Sequence, residues 1–461
     1  MKSGVLKWIG VGMFAVMMLG MGSVSYGEER DMVSQQRENL ENVHFTLDNG
    51  LNVYLLRDNA LPIVTVNLWV NVGSKDERAG RTGFAHLFEH LMFMGTESVP
   101  DIDMILERGG GSNNASTRED VTNYYTVGPE NMLETILYIE SDRLCHLPEA
   151  MTQEKLDRQR DVVLNERRQT LENQPYGKLW LALPSAIYPE THPYSHPVIG
   201  SVEDITAATV DDVISFFNTY YVPSNMTLVL GGDIEPTRAR ALVEKYFSRI
   251  PGRVKPEGTE VPRETYPRER RVRIEDNVQT ARLTMVWHSP SFMQDGDAEL
   301  DILSNILCKG KNSRLVNRLV YEKSLASNVS CGQMSGLASM FMIDALPLPG
   351  VSVETLEDEI LSELNAIVRD GISEEEFNRT KNSIETAFVK QLQSIEARAD
   401  SFNSHVYYAH STDFPSGDLE RYRRASVSGL MRVAGELFTD DSRRCTLVVD
   451  PKIGDRKDEA R

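Results

Sequence analysis

Two histidines four residues apart, His86 and His90, with Glu89 beside the second, stand in the run Gly83-Phe-Ala-His-Leu-Phe-Glu-His-Leu-Met-Phe-Met-Gly95. Every other position from Phe84 to Met94 is apolar. On a helix, residues three and four apart share a face, so the three polar groups would project together while Leu87, Phe88, Leu91 and Phe93 cover the other sides. A single histidine on such a rod would read as a hydrogen-bonded core residue. Three ionisable groups together are costly to bury without compensating charge, and a divalent cation converts that cost into a binding site. The order HxxEH inverts the common zinc-protease helix HExxH.

A second stretch adds a surface on which a chain could lie. Gly109-Gly-Gly-Ser-Asn-Asn-Ala-Ser-Thr117, followed by Asp120-Val-Thr-Asn-Tyr-Tyr125, is a glycine-rich turn leading into extended polar residues. That pattern suits a strand at the edge of a sheet, able to accept another strand through its main chain. Taken by themselves, these residues read first as an ordinary hairpin.

The run 83–95, together with Arg160-Asp-Val-Val-Leu-Asn-Glu-Arg-Arg168, resembles the two signatures of the pitrilysin, insulinase and mitochondrial processing peptidase family of metallopeptidases (M16), in its two-domain bacterial form. The resemblance covers nearly all of the chain beyond the amino terminus and is weakest in the C-terminal part. It implies one zinc ion per chain, held by His86, His90 and Glu166, the last being the glutamate of the second signature. Two histidines and one carboxylate leave a fourth position open, as in catalytic rather than structural sites. By itself Glu166 would read as the solvated face of a charged helix. The resemblance further implies a zinc-dependent endopeptidase, with Glu89 as general base on a zinc-activated water. It also places Asn114 and Ala115 beside the metal, where they receive an unfolded peptide or a short extended segment by strand addition. Two turns before Glu166, where some members carry a further glutamate supporting the ligands, this chain has Gln159. An amide can hydrogen-bond but lacks charge, so altered tuning rather than loss of the metal is expected.

Elements that must position these residues can be read in order. Residues 1–27 carry a basic start (Lys2, Lys7), an apolar core from Trp8 to Leu19 and a small-residue site at Ser25-Tyr-Gly27, the form of a cleavable secretory signal. The expected location is therefore exported, periplasmic or secreted, with no stable membrane span after cleavage. The rest of the 461 residues suffices for two ordinary domains, and the net charge of −19 disfavours nucleic acid as a partner. Four cysteines form no CxxC pair; one bridge among Cys308, Cys331 and Cys445 is left open, with free buried thiols as the alternative.

The N-terminal catalytic domain is expected at 28–250. In it a turn at Asp48-Asn-Gly50 joins two short strands, and Val64, Val66, Leu68, Val70 and Val72 alternate as a half-buried strand ended by Gly73. Thr152 can cap a helix running to Glu172. A helix near Val210 to Tyr221 and a strand from Met226 to Asp233 close the unit, and His192 and His196 are expected on a surface loop. Residues 251–270 turn to proline, glycine and charge, a linker. The second domain, 271–455, repeats the first. Ala281 to Trp287 parallels the strand before the histidine helix, Ile372-Ser-Glu-Glu-Glu-Phe377, with a capping box of Ser373 and Glu376, parallels Met151 to Leu156, and Cys445 to Val449 parallels Met226 to Leu230. The fold class is thus α+β, two homologous units each with an antiparallel sheet packed with helices. The copy lacks the chemistry: its helix from Asp297 to Leu307 has no histidine, and Ala387 takes the place of Glu166.

Family members that complete the active site from this copy carry an arginine and a tyrosine where this chain has Val320 and Ser327, although Ser313-Arg-Leu315 and Leu319 fit the same pattern. The resemblance therefore implies a heterodimer in which a paralogous subunit supplies both groups to the zinc-bearing chain. Two other arrangements stay open: a self-sufficient homodimer using Arg318, and a non-catalytic scaffold or binding subunit.

Overall fold

The computed structural model describes residues 42–452; the signal segment 1–27 lies outside them. The first two strands, β1 (Asn42–Thr46) and β2 (Asn52–Arg57), form a hairpin in the register Thr46↔Asn52. Its turn needs Gly50, whose φ is +92° and whose missing Cβ leaves room for Ser224. Adding β3 (Ile63–Val70), β4 (Ser112–Thr117), β5 (Thr122–Pro129) and β6 (Met226–Gly232) completes a six-stranded sheet in the order β1-β2-β6-β3-β5-β4. Only β2 and β6 run parallel.

A second sheet is built from β7 (Arg271–Asp276), β8 (Arg282–Ser289), β9 (Ala326–Met334), β10 (Ser339–Pro347) and β11 (Arg444–Pro451), in the order β7-β11-β8-β10-β9. Its strands match β2-β6-β3-β5-β4 one for one, including the single parallel pair, β7 with β11. The molecule is an α+β duplication with one extra edge strand in the first copy. Between the sheets, residues 251–270 form no helix or strand.

On the first sheet lie α1 (Phe84–Leu91), α2 (Leu133–Ala150), α3 (Gln153–Arg167) and α4 (Val210–Tyr220). Their apolar sides meet Val64, Val66, Leu68 and Leu228 in one large core. The second half carries α5 (Asp297–Cys308), α6 (Val353–Asp370), α7 (Glu374–Gln391) and α8 (Ile395–Ala409). Of these, α8 crosses to the first sheet. Asn403 donates to Asn67 Oδ1 at 2.8 Å, Trp69 Nε1 donates to Asp400 at 3.0 Å, and Tyr54 and Leu56 pack on Phe402 and Phe414.

Several expectations are corrected by this packing. The strand read as half-buried is covered on both faces, because α8 lies over Thr65, Asn67 and Trp69. His192, expected at the surface, is buried: its ring stacks on Tyr188 and its Nε2 lies 2.9 Å from the Pro262 carbonyl. His196 is half-buried, 3.6 Å from the carboxylate of Glu77. At the start of α7, Ser373 accepts from the Glu376 amide at 3.2 Å, but the Glu376 carboxylate grips Arg314 instead of closing the box. The open question of the cysteines resolves to one bridge, Cys308–Cys331, from the end of α5 to the edge strand β9, with Cys145 and Cys445 free. Among the described residues no helix is long and apolar enough to cross a membrane.

Candidate metal centre

Helix α1 starts at Gly83, which has φ +86° and sits so close to Ile199 that a Cβ would fall 2.7 Å from its carbonyl oxygen. The amides of Gly83 and Ala85 donate to the carboxylate of Glu77 at 2.8 and 2.7 Å, satisfying donors that the first turn leaves free. Phe84, Ala85, Leu87, Phe88 and Leu91 are buried, with Phe88 among the rings of Phe216, Phe217 and Tyr221. The opposite side presents His86, Glu89 and His90, the face expected from spacing.

Helix α3 is held across α1 by charged side chains reaching backbone carbonyls. Thr152 accepts from the Lys155 amide at 3.3 Å and starts the helix, while Lys155 Nζ donates to Gly95 O at 2.9 Å. Arg160 donates to the carbonyls of Thr206 and Ala208, and Arg167 to Gly200 O at 2.7 Å. Beyond Arg167 the helix widens into a π turn through Glu172. This anchoring carries Glu166 over the two imidazoles.

The three side chains converge. His90 Nε2 lies 3.3 Å from His86 Nε2 and 3.2 Å from Glu166 Oε2, and His86 Nε2 lies 3.9 Å from Glu166 Oε1. A tetrahedral ion with ligand bonds of about 2.0–2.1 Å spaces its ligand atoms about 3.3 Å apart. Two imidazole nitrogens and one carboxylate at such spacings fit a zinc ion. Among the described residues no other trio of His, Cys, Asp or Glu side chains comes together in this way.

Electrostatics favour the unprotonated donors a cation requires. Burial pushes the His86 imidazole down to about 4, His90 adds to the effect, and Glu166 only partly opposes it. For Glu166, burial pushes the carboxyl up, but the hydrogen bond from His90 and, whenever they carry a proton, the two imidazoles outweigh it, and the net shift is downward. Burial raises Glu89 to about 7 against the opposing hydrogen bond from Thr117. A buried carboxyl of this kind sits near neutrality, where it can both accept and return a proton. His86 Nδ1 is buried and has no hydrogen-bond partner among the described residues.

Strand β4 is the edge of the first sheet, paired only with β5. Asn114 is exposed, and its Oδ1 accepts from the Ala115 amide at 2.9 Å. Gln159 does not reach a ligand: its amide contacts the Met94 sulfur. Sequence reasoning missed Thr117, whose hydroxyl donates to Glu89 Oε2 at 2.5 Å. The polar run Ser112–Thr117 pointed to the strand, but no spacing rule singles out its last hydroxyl.

In the second half, Val320 packs against the core, and Ser327 on the edge strand β9 donates from its Oγ to Leu346 O on β10. Arg318 is held by Glu359 at 2.8 Å and Glu363 at 3.0 Å, both on α6.

A family model described as "Insulinase (Peptidase family M16)" matches residues 52–200, and one described as "Peptidase M16 inactive domain" matches residues 207–384. The chain is 30% identical to the "Zinc protease PqqE" of Helicobacter pylori over 86% of its own length and 90% of that protein. It is 24% identical to the "Mitochondrial-processing peptidase subunit beta" of Lentinula edodes, over 86% and 87% of the two chains. Among solved structures, a protease from Helicobacter pylori superposes with a TM-score of 0.82 at 27% identity, covering 89% of this chain and 100% of the other.

Proposed function

This chain belongs to peptidase family M16, and from that premise we propose that it is a zinc-dependent endopeptidase acting on unfolded or extended peptides, as the metal-bearing half of a heterodimer. The observation that carries the reading is the convergence of His86 Nε2, His90 Nε2 and the Glu166 carboxylate within 4.8 Å of one another. The same residues are the ones the family resemblance names as ligands, and a relative is named a zinc protease.

When bound, zinc supplies Lewis-acid polarisation of a peptide carbonyl and acidifies water towards neutrality. The chain's own residues do the rest. His86, kept unprotonated by burial, and His90 offer ring nitrogens, and Glu166 offers the single negative charge. Glu89, next to His90 but outside the trio, takes the proton of the attacking water and returns it to the departing amine. Edge strand β4, at Asn114 and Ala115, lines up the substrate main chain, which restricts substrates to segments free of their own sheet or helix partners. Gln159, on the same helix as Glu166, donates to the Met94 sulfur and not to a ligand.

The heterodimer rests on what the second half lacks. Val320 and Ser327 replace the arginine and tyrosine that the family resemblance expects there, and the ion pairs on Arg318 withhold the nearest alternative. A relative of similar length is itself named a subunit. Export through residues 1–27 would place the enzyme in the periplasm or outside the cell.

Metal analysis combined with peptide cleavage, for the chain alone and mixed with its paralogue, tests the whole reading. We expect one zinc per chain, weak or no cleavage alone and cleavage on mixing. Full activity from the isolated chain removes the heterodimer, and absence of bound zinc removes the enzyme. Glu89→Gln should abolish turnover, by roughly 10²–10⁴-fold, and keep the metal; loss of both would show that Glu89 is misassigned.

A further inference from the structure

The β4–β5 hairpin does two things at once: its edge faces outward, and its last β4 residue, Thr117, donates to Glu89 at 2.5 Å. The turn that follows, 118–121, is fastened on two sides. From the first half, Ser74 and Lys75 amides donate to the carbonyls of Arg118 and Glu119, and Lys75 Nζ donates to Asp120 O at 2.9 Å. From the second half, Tyr408 Oη on α8 and the Leu337 amide in the β9–β10 turn donate to Asp120 Oδ2 at 2.9 and 3.0 Å. Asp120 is 1% exposed. Gly336 comes so close that a Cβ there would sit 3.1 Å from Asp120 Oδ2. Next to it, Val121 is buried with Trp69 and Tyr408 in a small apolar cluster drawn from both halves, with Phe292 and Leu337 at its rim.

We propose that the second half acts in the reaction as a clamp: through Tyr408 and Leu337 it holds the carboxylate of Asp120, fixing the hairpin turn so that the Thr117 hydroxyl stays on Glu89. Thr117 and Asp120 are then positioning residues, and the half without metal ligands has a defined part in the chemistry of the other. The physical basis is that a carboxylate free to rotate spends little time aligned with a proton it must take, and small misplacements of such groups cost large factors in rate. A hydroxyl on one oxygen of Glu89 narrows the orientations open to the carboxylate, with its other oxygen assigned to the water. Thr117 can do this only while the hairpin keeps its register, and the buried turn is where that register is anchored.

This inference rests on the peptidase reading above for its rate predictions, while its structural part is independent of that reading. Thr117→Val keeps the shape and the backbone contact with Glu89 and removes the hydroxyl donor; kcat should fall roughly tenfold to a hundredfold, with KM within about twofold and zinc retained. Thr117→Ser restores the hydroxyl and should recover most of the rate. Tyr408→Phe removes one donor to Asp120. Amide hydrogen exchange over residues 112–122 should rise severalfold in this variant, while exchange in β2 stays unchanged, and kcat should fall severalfold. In the double variant Thr117→Val/Tyr408→Phe the two rate losses should not multiply, because Tyr408 acts through Thr117.

Unchanged exchange over 112–122 in Tyr408→Phe overturns the clamp whether or not the protein cleaves peptides. A Tyr408→Phe rate loss that repeats in full on the Thr117→Val background also overturns it. If the zinc-loaded wild-type pair cleaves no peptide, the peptidase reading fails, and the exchange measurement still decides the clamp.

Discussion

The two halves share a strand order and differ in almost everything placed on it. In both, a strand at the sheet centre is followed by a helix that opens on a left-handed glycine, Gly83 at φ +86° before α1 and Gly296 at φ +94° before α5. Paired from these glycines, His86, Glu89 and His90 correspond to Glu299, Ile302 and Leu303. The buried sides are exchanged as well. Where α1 buries Phe84 and Phe88, α5 carries Asp297 and Asp301, engaged by Arg421, Tyr422 and Gln333. The comparison teaches that this architecture is set by strand pairing and by the turn into the helix. The helix itself can bury either rings or a hydrogen-bonded ion network, and its other side can carry either a ligand set or a glutamate with two buried apolar residues.

Paired substitutions are the sharpest way to break that comparison. The largest effect is expected at His90 and Leu303, which hold the same place in the two helices. His90→Ala should reduce zinc far below one per chain and eliminate cleavage with the fold intact, since His90 is only half-buried. Leu303→Ala, at a fully buried site, should leave zinc unchanged and cost about 2–5 kcal/mol of stability. Metal analysis and thermal unfolding on both variants check this. Equal zinc loss from the two would mean that the halves are not separable in function.

Next come the two glycines. Alanine at 83 would meet a backbone carbonyl at 2.7 Å, and alanine at 296 would meet the Val433 methyl at 3.0 Å. Both share the left-handed penalty of about 1 kcal/mol, and only Gly83→Ala adds a contact with backbone atoms, inside 3 Å, for a total of roughly 2–4 kcal/mol. Denaturant unfolding of the two variants should therefore rank Gly83→Ala as the more damaging.

The smallest effect concerns pH. Burial, with the charge of Asp301 adding to it and Arg421 opposing it, pushes the Asp297 carboxyl up to about 7. The folded state thus keeps a proton that the unfolded chain gives up near pH ~4. The stability this contributes is full below that value and is lost as pH rises through about 7. Asp297→Asn should remove on the order of 1–3 kcal/mol of the decline in wild-type stability between about pH 5 and pH 8. The slope of unfolding free energy against pH in the two proteins measures it, and parallel slopes would refute the assignment.

Much of the molecule is legible in its sequence. The HxxEH face, the cap at Thr152, the extended run Ser112–Thr117 and the duplicated α+β plan all follow from local pattern: period, turn chemistry and the order of polar groups in an apolar run. These are properties of neighbours along the chain, and local rules govern them. Other features depend on residues far apart in sequence. Glu166 meets the imidazoles because Lys155, Arg160 and Arg167 tie α3 to carbonyls of three separate loops. Thr117 reaches Glu89, and α8 covers the second face of β3, through contacts between the hairpin, the metal helix and the other half. His192 is buried for the same reason, stacked on Tyr188 beneath the chain at Pro262. Periodicity reports which side of an element is apolar; which distant element will cover the other side is decided only when the whole chain has packed, because that choice depends on shape and on pairing of buried polar groups across the interface.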